Sequence, residues 1–499
     1  MKSWKLHECN TVRLKPFALS LNGTLGYLNS IVLKLVLPLL ALLSLAGCAT
    51  STPKAPVEPR LPPTFKETDA HMLGPSSKQP PLHGAWWTVF ADARLDELLE
   101  RADQGNAGIH IAAANLAKAR ALVRGSNASR LPRLNVNGAG DLQSGPLINS
   151  AGSSGTLWTA SANLSYEVDV MGRLAKDGDA AALDAASREA LLRSVRLMVQ
   201  AEVAQNYFEL RSLVLERALL ADGLDLQRGA LRLAERRLAL GTVAEFDVAR
   251  LQVELATAES DAMALERRAA ELQNALAVLV GQMASSFDAP MGSSDSRSSS
   301  AWVLPAIPAG IPADLLVRRP DILAARQSMV AAQTRMGISR SAWFPNITLS
   351  TTQGFASPTL GDLITASSRA WGVSALLSLP LFDGGRREAA VQGASADLDV
   401  ALAKYREQIL LAVREVEDQL AALRILHAQE RVQDRAMAAG LRSRVLASSR
   451  YEHGLSGQLE LQDAQRTELR IRRQALQLRA ARFQATVALI RALGGGWSS

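Results

Sequence analysis

A period-two alternation of apolar and small polar residues is clearest between Phe344 and Arg387. The first run places Ile347, Leu349, Thr351 and Phe355 on one side, and the second places Trp371, Val373, Ala375, Leu377, Leu379 and Leu381 on one side. The opposite sides carry mainly Asn, Thr, Ser and Gly. The pattern predicts two strands joined by a Gly/Ser/Pro loop. At about 10 residues each, they have the length of tilted strands that cross a bilayer.

The same pattern occurs earlier in the chain at a constant difference in residue number, which we call the repeat offset. Three pairs share it, since 345 − 132, 371 − 158 and 385 − 172 all equal 213: Pro132 and Pro345, Trp158 and Trp371, Gly172 and Gly385. It persists into the helical segments, where Gly241 and Gly454 differ by the same amount. We therefore interpret the chain as an internal duplication of one unit, made of a helix, a hairpin and a long helical pair.

Long helical segments follow both predicted hairpins. Leu174 to Leu240 and Glu388 to Tyr451 contain no proline, and their apolar residues recur at three and four. A helix of this length reaches on the order of 100 Å. Each is followed by a glycine turn and a returning helix, for which Thr242 and Ser456 are the predicted N-terminal caps.

Four strands cannot close a barrel, and open strand edges are not tolerated in lipid, so several copies must pool their strands. Two copies would give eight strands, with an interior filled by side chains, whereas three would give twelve and leave a lumen. Aromatic residues at the two ends of the strands predict two membrane girdles. They are Trp158, Phe355 and Trp371 at the hairpin tips, and Tyr166, Phe344 and Phe382 at the helix ends.

Composition agrees with long helices and does not point to nucleic acid. Apolar residues make up 48% of the chain, charged residues 21% and aromatic residues only 5%. The formal charge of +7 comes from Lys and Arg spread among Glu and Asp, without an RNA-reading or helix-turn-helix motif. We interpret these charges as solvated helix faces and expect no nucleic-acid partner.

No catalytic motif is present in the sequence. There is no phosphate-binding GxxxxGK[ST] loop, no HExxH and no CxxC, and the six histidines lack metal-ligand spacing. No serine lies on a predicted strand-to-helix elbow. We therefore expect no enzyme activity, no metal site and no cofactor.

The first 47 residues are predicted to be a lipoprotein signal peptide. Basic residues precede the apolar run from Leu35 to Ala46, which is short for a membrane span and ends directly before Gly47 and Cys48. This ending resembles the bacterial lipobox, in which the cysteine carries lipid.

Residues 48–84 are proline-rich and predict an extended tether. The rest divides into a first repeat at 85–283 with a hairpin at 132–171, a Ser/Pro-rich linker at 284–312, and a second repeat at 313–496 with a hairpin at 345–383.

Six motifs together resemble the TolC-like outer-membrane efflux factors, in their lipoprotein (NodT/OprM-type) branch. They are WWTVFADARLDELL at Trp86, SYEVDVMGRL at Ser165, DLLVRRPDILAAR at Asp314, FPNITL at Phe344, LPLFDGGR at Leu379 and RYEHGLSGQLELQDAQ at Arg450. The resemblance implies an α+β membrane protein that forms a homotrimer. Each protomer would give four strands to one 12-stranded transmembrane β-barrel, continued by an α-helical barrel through the periplasm. It also implies outer-membrane localisation.

The resemblance extends to individual residues at the turns of the long helices. Glu460 and Asp463 lie at i and i+3 on one helix face and match the acidic residues that ring the family's periplasmic entrance. Asp247 and Tyr451 match the latch between neighbouring helical pairs. The family's latch arginine is replaced by Ser456, so we expect the closed gate to depend more on packing of Leu459 and its neighbours.

The function that this resemblance implies is an exit channel for drugs or small toxic compounds. Its partners would be a periplasmic adaptor protein, an inner-membrane pump of the resistance-nodulation-division (RND) type, and outer-membrane lipid. Two alternatives remain open at this point: a duct for type I protein secretion, which would share the fold, and a periplasmic coiled-coil protein without a pore.

Overall fold

The computed structural model describes residues 61–67, 85–144, 154–290, 304–305, 307, 310 and 312–495. All of them belong to one compact unit that begins at Glu58. The predicted signal peptide, Cys48, most of the tether and much of the linker lie outside the described residues.

The described part is mostly helical, with one four-stranded sheet. A 3₁₀ helix at Trp86–Phe90 precedes the first α-helix, and single short turns lie at Ala284–Ser286, Pro312–Asp314, Leu315–Arg318, Leu360–Asp362 and Ala366–Ser368. The main elements are α1 (Ala93–Gly105), α2 (Ala107–Ala128), β1 (Arg133–Ser144), β2 (Ser154–Val168), α3 (Arg173–Ala239), α4 (Glu245–Leu279), α5 (Pro320–Ser341), β3 (Asn346–Ser357), β4 (Arg369–Ser378), α6 (Arg386–Glu452) and α7 (Gln458–Ala492).

Three pairs of helices recur at the repeat offset and with equal lengths. Helices α2 and α5 have 22 residues each, α3 and α6 have 67 each, and α4 and α7 have 35 each. The four ends of α3 and α6 lie within two residues of the predicted ones. Among the described residues, no helix combines the length and apolar content that crossing a membrane would require.

Both predicted N-terminal caps are wrong. Helix α4 has Ala244 as its N-cap, and the Thr242 hydroxyl instead donates to the carbonyl of Arg237 in the preceding helix at 2.9 Å. Helix α7 has Gly457 as its N-cap, while the Ser456 hydroxyl is buried without a hydrogen-bond partner in the structure. Thr242 thus serves the helix that ends before it and Ser456 serves neither helix, so a capping pattern alone did not locate the next start.

The helices form an open layer with two free edges. Helix α3 packs against α2, α4, α5 and α7, and helix α6 packs against α5 and α7. The order across the layer is therefore α2, α3, α5, α6 near the sheet, and α4, α3, α7, α6 toward the far end. One edge is made by α2 and α4 and the other by α6.

The core lies at mid-height of this layer, around a group of buried rings. The Phe208 ring of α3 lies 4.7 Å from that of Phe483 in α7 and 5.0 Å from that of Phe90, measured between ring centroids.

Asp92 begins α1 by accepting a hydrogen bond from the Arg94 amide. Its other carboxylate oxygen accepts from the Tyr207 hydroxyl at 2.7 Å. Burial, and then the Asp92 charge, raise the pKa of Tyr207.

Part of the predicted tether is docked on the helices. Phe65 is buried in the core, and the backbone N–H groups of Lys66 and Glu67 donate to the two carboxylate oxygens of Glu417 at 2.7 and 3.1 Å. The Glu67 carboxylate forms an ion pair with Arg424 at 2.8 Å. Residues 61–67 thus form a strap across α6, which the proline content of the tether did not predict.

Candidate functional site

The sheet is a meander in the order β1-β2-β3-β4, and its register sorts every strand residue to one of two faces. Directly paired residues of antiparallel strands lie on the same face. One face is uncharged over most of its length and carries small polar side chains: Asn135, Asn137, Thr159, Ser161, Asn163, Ser165, Thr348, Ser350, Thr352, Ser374 and Ser378. The hydroxyls of Ser350 and Ser374 lie 2.7 Å apart across two strands.

The other face is mainly apolar, as the alternation predicted, although Gln353 and Thr351 also lie on it. It carries Leu134, Val136, Ala162, Leu164, Ile347, Leu349, Val373, Ala375 and Leu377. Two predicted members are absent from it, because β4 ends at Ser378 and Leu379 and Leu381 lie beyond the strand. Pro380 lacks the N–H that a continuing ladder would need.

Three of the predicted girdle residues lie at one end of the apolar face. Trp158, Phe355 and Trp371 occupy neighbouring positions near the hairpin tips, and the Trp158 ring covers Gly140 on the adjacent strand. At the opposite end only Tyr166 belongs to a strand, where it pairs with Leu349. Phe344 precedes β3 and Phe382 follows β4 with its side chain exposed.

Charges on the polar face lie only at its ends, within the described strands. Near the helices, Glu167 is paired with Arg173 at 2.7 Å, and Arg133 donates to the Ser129 hydroxyl. Near the hairpin tips, Asp141 stands opposite Leu157. Between these two ends, the strand residues on the polar face include no ionisable side chain.

The predicted gate residues lie at the far end of the helical layer, in the first two turns of α7. Leu459, Glu460 and Asp463 are each half exposed or more. Glu460 faces Arg450 at 3.7 Å, and Asp463 forms an ion pair with Arg466 at 3.1 Å. The acidic pair is therefore partly balanced by cations of its own chain.

The predicted latch residues Asp247 and Tyr451 are not in contact with each other by any ion pair or hydrogen bond that the structure records among its described residues. The two helical pairs are instead bridged further along α7. Two arginines seven residues apart reach two acids of α4, also seven residues apart. The pairs are Arg466 with Glu254 at 3.5 Å and Arg473 with Asp261 at 3.1 Å.

One of these bridges extends into the interior. The Arg473 guanidinium also donates to Glu216 of α3 at 2.9 Å, and the Glu216 side chain is only 2% exposed. Gln477 donates to the same carboxylate at 3.2 Å. This cluster was not predicted from the sequence, although the seven-residue spacing of the two acids and of the two arginines places each pair about two helical turns apart on one face.

The RRPD motif forms a joint between helices. Arg319 is buried, and its guanidinium donates to both oxygens of Asp321, to Glu415 at 2.8 Å and to the carbonyl of Ala492 at 2.9 Å. Pro320 is the first residue of α5. The end of α7 thus abuts the start of α5, and the arginine satisfies a carbonyl that the helix end leaves free.

Comparison with known proteins fits this arrangement. A family model described as outer membrane efflux protein matches residues 98–282 and 311–495. The starts of the two matches differ by the repeat offset, since 311 − 98 = 213.

Three relatives illustrate the similarity. The chain is 29% identical to the cation efflux system protein CusC of Escherichia coli O6:H1, over 93% of this chain and 98% of the relative. It is 31% identical to the solvent efflux pump outer membrane protein SrpC of Pseudomonas putida, with the same coverage. The solved structure of the outer-membrane channel OprN superposes with a TM-score of 0.78 at 27% identity, over 88% of this chain and 98% of that chain. The chain belongs to the outer membrane efflux protein family.

Proposed function

We propose that three copies of this chain form the outer-membrane exit channel of a tripartite efflux system. The observation that carries the proposal is the four-stranded sheet with one apolar and one small polar face and two open edges, β1 and β4. In lipid both edges must be paired, so β4 of one copy would pair with β1 of the next.

The helical layer supports the same closure. The edge made by α6 exposes Ile425, Val432 and Val445, and the opposite edge exposes Ile111 and Leu122 on α2 and Val253 and Met263 on α4. Apolar residues exposed along both edges favour an interaction surface there. Strand β1 follows α2 and lies on the same side of the protomer, and β4 precedes α6 on the opposite side. One rotation that relates neighbouring copies would therefore cover the sheet edges and the helix edges together.

Three copies fit the polar face better than two. Eight strands would fill their interior with side chains, whereas twelve would leave a lumen. Small hydroxyl and amide side chains suit a water-filled lumen, and the apolar face would then meet lipid. The aromatic residues near the hairpin tips would form the outer girdle, with Tyr166, Phe344 and Phe382 toward the periplasm.

The partners and cargo follow from the family. Relatives are outer-membrane components of efflux systems, so we infer a periplasmic adaptor and an inner-membrane pump of the RND type. CusC is named for cations and SrpC for solvents, so the names of relatives favour small toxic compounds over a secreted protein. We also infer that Cys48 carries lipid and that the chain arose by duplication of one unit, with its two copies separated by the repeat offset.

The gate is proposed to lie at the far helix tips, where three copies of Glu460 and Asp463 would surround the axis. Within one protomer Glu460 pairs with Arg450 and Asp463 with Arg466, and Ser456 stands where the family has its latch arginine, so the closed state is proposed to depend more on packing of Leu459. Asp247, Tyr451 and Leu459 are proposed to contact the neighbouring helical pair when the entrance closes.

Reconstitution in a planar bilayer tests the proposed function. The purified chain should run as a trimer on a semi-native gel and give discrete conductance steps. A coiled-coil protein without a pore would give no conductance steps. Gene deletions in cells distinguish efflux from type I secretion. If the chain serves efflux, deleting an inner-membrane RND pump should abolish the resistance that depends on this chain, whereas deleting an ATP-driven exporter should not. The type I secretion alternative predicts the opposite dependence.

A further inference from the structure

The polar face of the sheet has a single unpaired charge at its hairpin-tip end. Asp141 lies on β1 directly opposite Leu157, and it forms no ion pair or hydrogen bond with any side chain that the structure describes. The residues on its own face toward the helices are Ala139, Asn137 and Asn135, which are neutral. Among the described residues of the protomer, no cation balances this carboxylate.

The other charges near this end are directed elsewhere. Arg369 begins β4 and pairs with Phe355, which places it on the apolar face. Asp362 lies in the second hairpin loop, where its carboxylate accepts a hydrogen bond from the Thr359 hydroxyl at 2.6 Å. The first hairpin loop, at residues 145–153, contains no charged residue.

Asp141 is also isolated from the charges at the other end of the sheet. Eight residues of β1 separate it from Arg133, or about 27 Å along the strand. At a strand tilt of about 40° the separation along a barrel axis is roughly 20 Å. This exceeds the Debye length of about 8 Å at physiological salt, so the two ends act independently.

We propose that Asp141 sets the ion preference of the outer mouth of the channel. The inference rests on the trimeric barrel proposed above, in which three Asp141 carboxylates would surround the lumen. A 12-stranded barrel with strands about 4.8 Å apart has a radius of roughly 12 Å. Three carboxylates at that radius enrich cations over anions on the axis by roughly ten-fold at 0.01 M salt, about two-fold at 0.15 M and hardly at all at 1 M.

Reversal potentials in a KCl gradient test this inference. With 0.01 M salt on the hairpin-tip side, Asp141→Asn should lower the ratio of cation to anion permeability by about ten-fold, and Asp141→Lys should lower it further. The change should disappear when the gradient is inverted, because concentrated salt then screens the outer mouth. Asp141→Glu, which keeps the charge, is the matched control and should match the unmodified chain.

The possible failures are distinguishable. If the unmodified chain gives no conductance, the proposed function fails. If it conducts, and Asp141→Asn assembles into trimers with an unchanged permeability ratio when the 0.01 M salt is on the hairpin-tip side, the channel stands and the role of Asp141 is refuted. Asp141 is exposed on its strand, so loss of folding is not expected to obscure the result.

Discussion

Removal of the Arg319 guanidinium should weaken the joint between α7 and α5 more than any neighbouring change of the same type. In Arg319→Ala, both oxygens of Asp321 lose a donor, Glu415 loses its partner at 2.8 Å, and the carbonyl of Ala492 is left without the guanidinium. Gln408 still donates to Asp321 at 2.8 Å, so that carboxylate is not left entirely unpaired.

The structure sets the size of the effect. Breaking a buried ion pair by removing one partner costs about 3 to 5 kcal/mol. The Arg319 side chain is 7% exposed, but Asp321 and Glu415 are 24% and 31% exposed, so water can solvate the carboxylates that remain. We therefore expect about 3 kcal/mol, the lower end of that range. Arg319→Lys keeps the charge but not the planar fork, and should fall between this value and zero.

The matched control is the preceding residue. Arg318 is 29% exposed and pairs with Asp314 at 3.5 Å, so Arg318→Ala should cost at most about 1 kcal/mol. The measurement is the urea midpoint of helix loss, followed by circular dichroism in detergent. If Arg319→Ala shifts the midpoint no further than Arg318→Ala, the guanidinium is not what holds the two helix ends together.

Three further predictions concern the strands, the gate and the anchor. Val373→Arg, on the proposed lipid face, should destabilise the barrel by about 2 to 4 kcal/mol near the midplane, whereas Ser374→Arg should leave trimers intact; equal damage would argue against the assignment of faces. Glu460→Ala combined with Asp463→Ala should reduce block by trivalent cations added from the periplasmic side, because a ring of acids concentrates multivalent cations. Unchanged block would exclude both residues from the gate. Cys48→Ser should abolish labelling with a radioactive fatty acid, and persistent labelling would refute lipidation at this position.

Local periodicity predicted the elements well because each strand alternates apolar and small polar residues, and each long helix repeats apolar residues at intervals of three and four. The alternation from Ile347 to Leu377 fixed the two faces of the sheet, and only the end of β4 was placed too late. Contacts between distant segments were not predictable in the same way. The docking of Phe65 and the partners of Arg466 and Arg473 depend on which helices become neighbours, which no single segment encodes.

The joint formed by Arg319 has a counterpart at the equivalent position of the first half. Comparing the two joints shows which features of one half could replace those of the other. Asn106 begins α2 and donates to the carbonyl of Leu279, as Arg319 donates to that of Ala492. The position of Asp321, however, corresponds to Gly108, which has no carboxylate. An arginine transplanted to 106 would therefore lack the carboxylate that receives its fork. Backbone positions in the two halves correspond, but the side chains that interact at the joint differ. A chimera built from two copies of one half would therefore need all the side chains of each joint to be changed together.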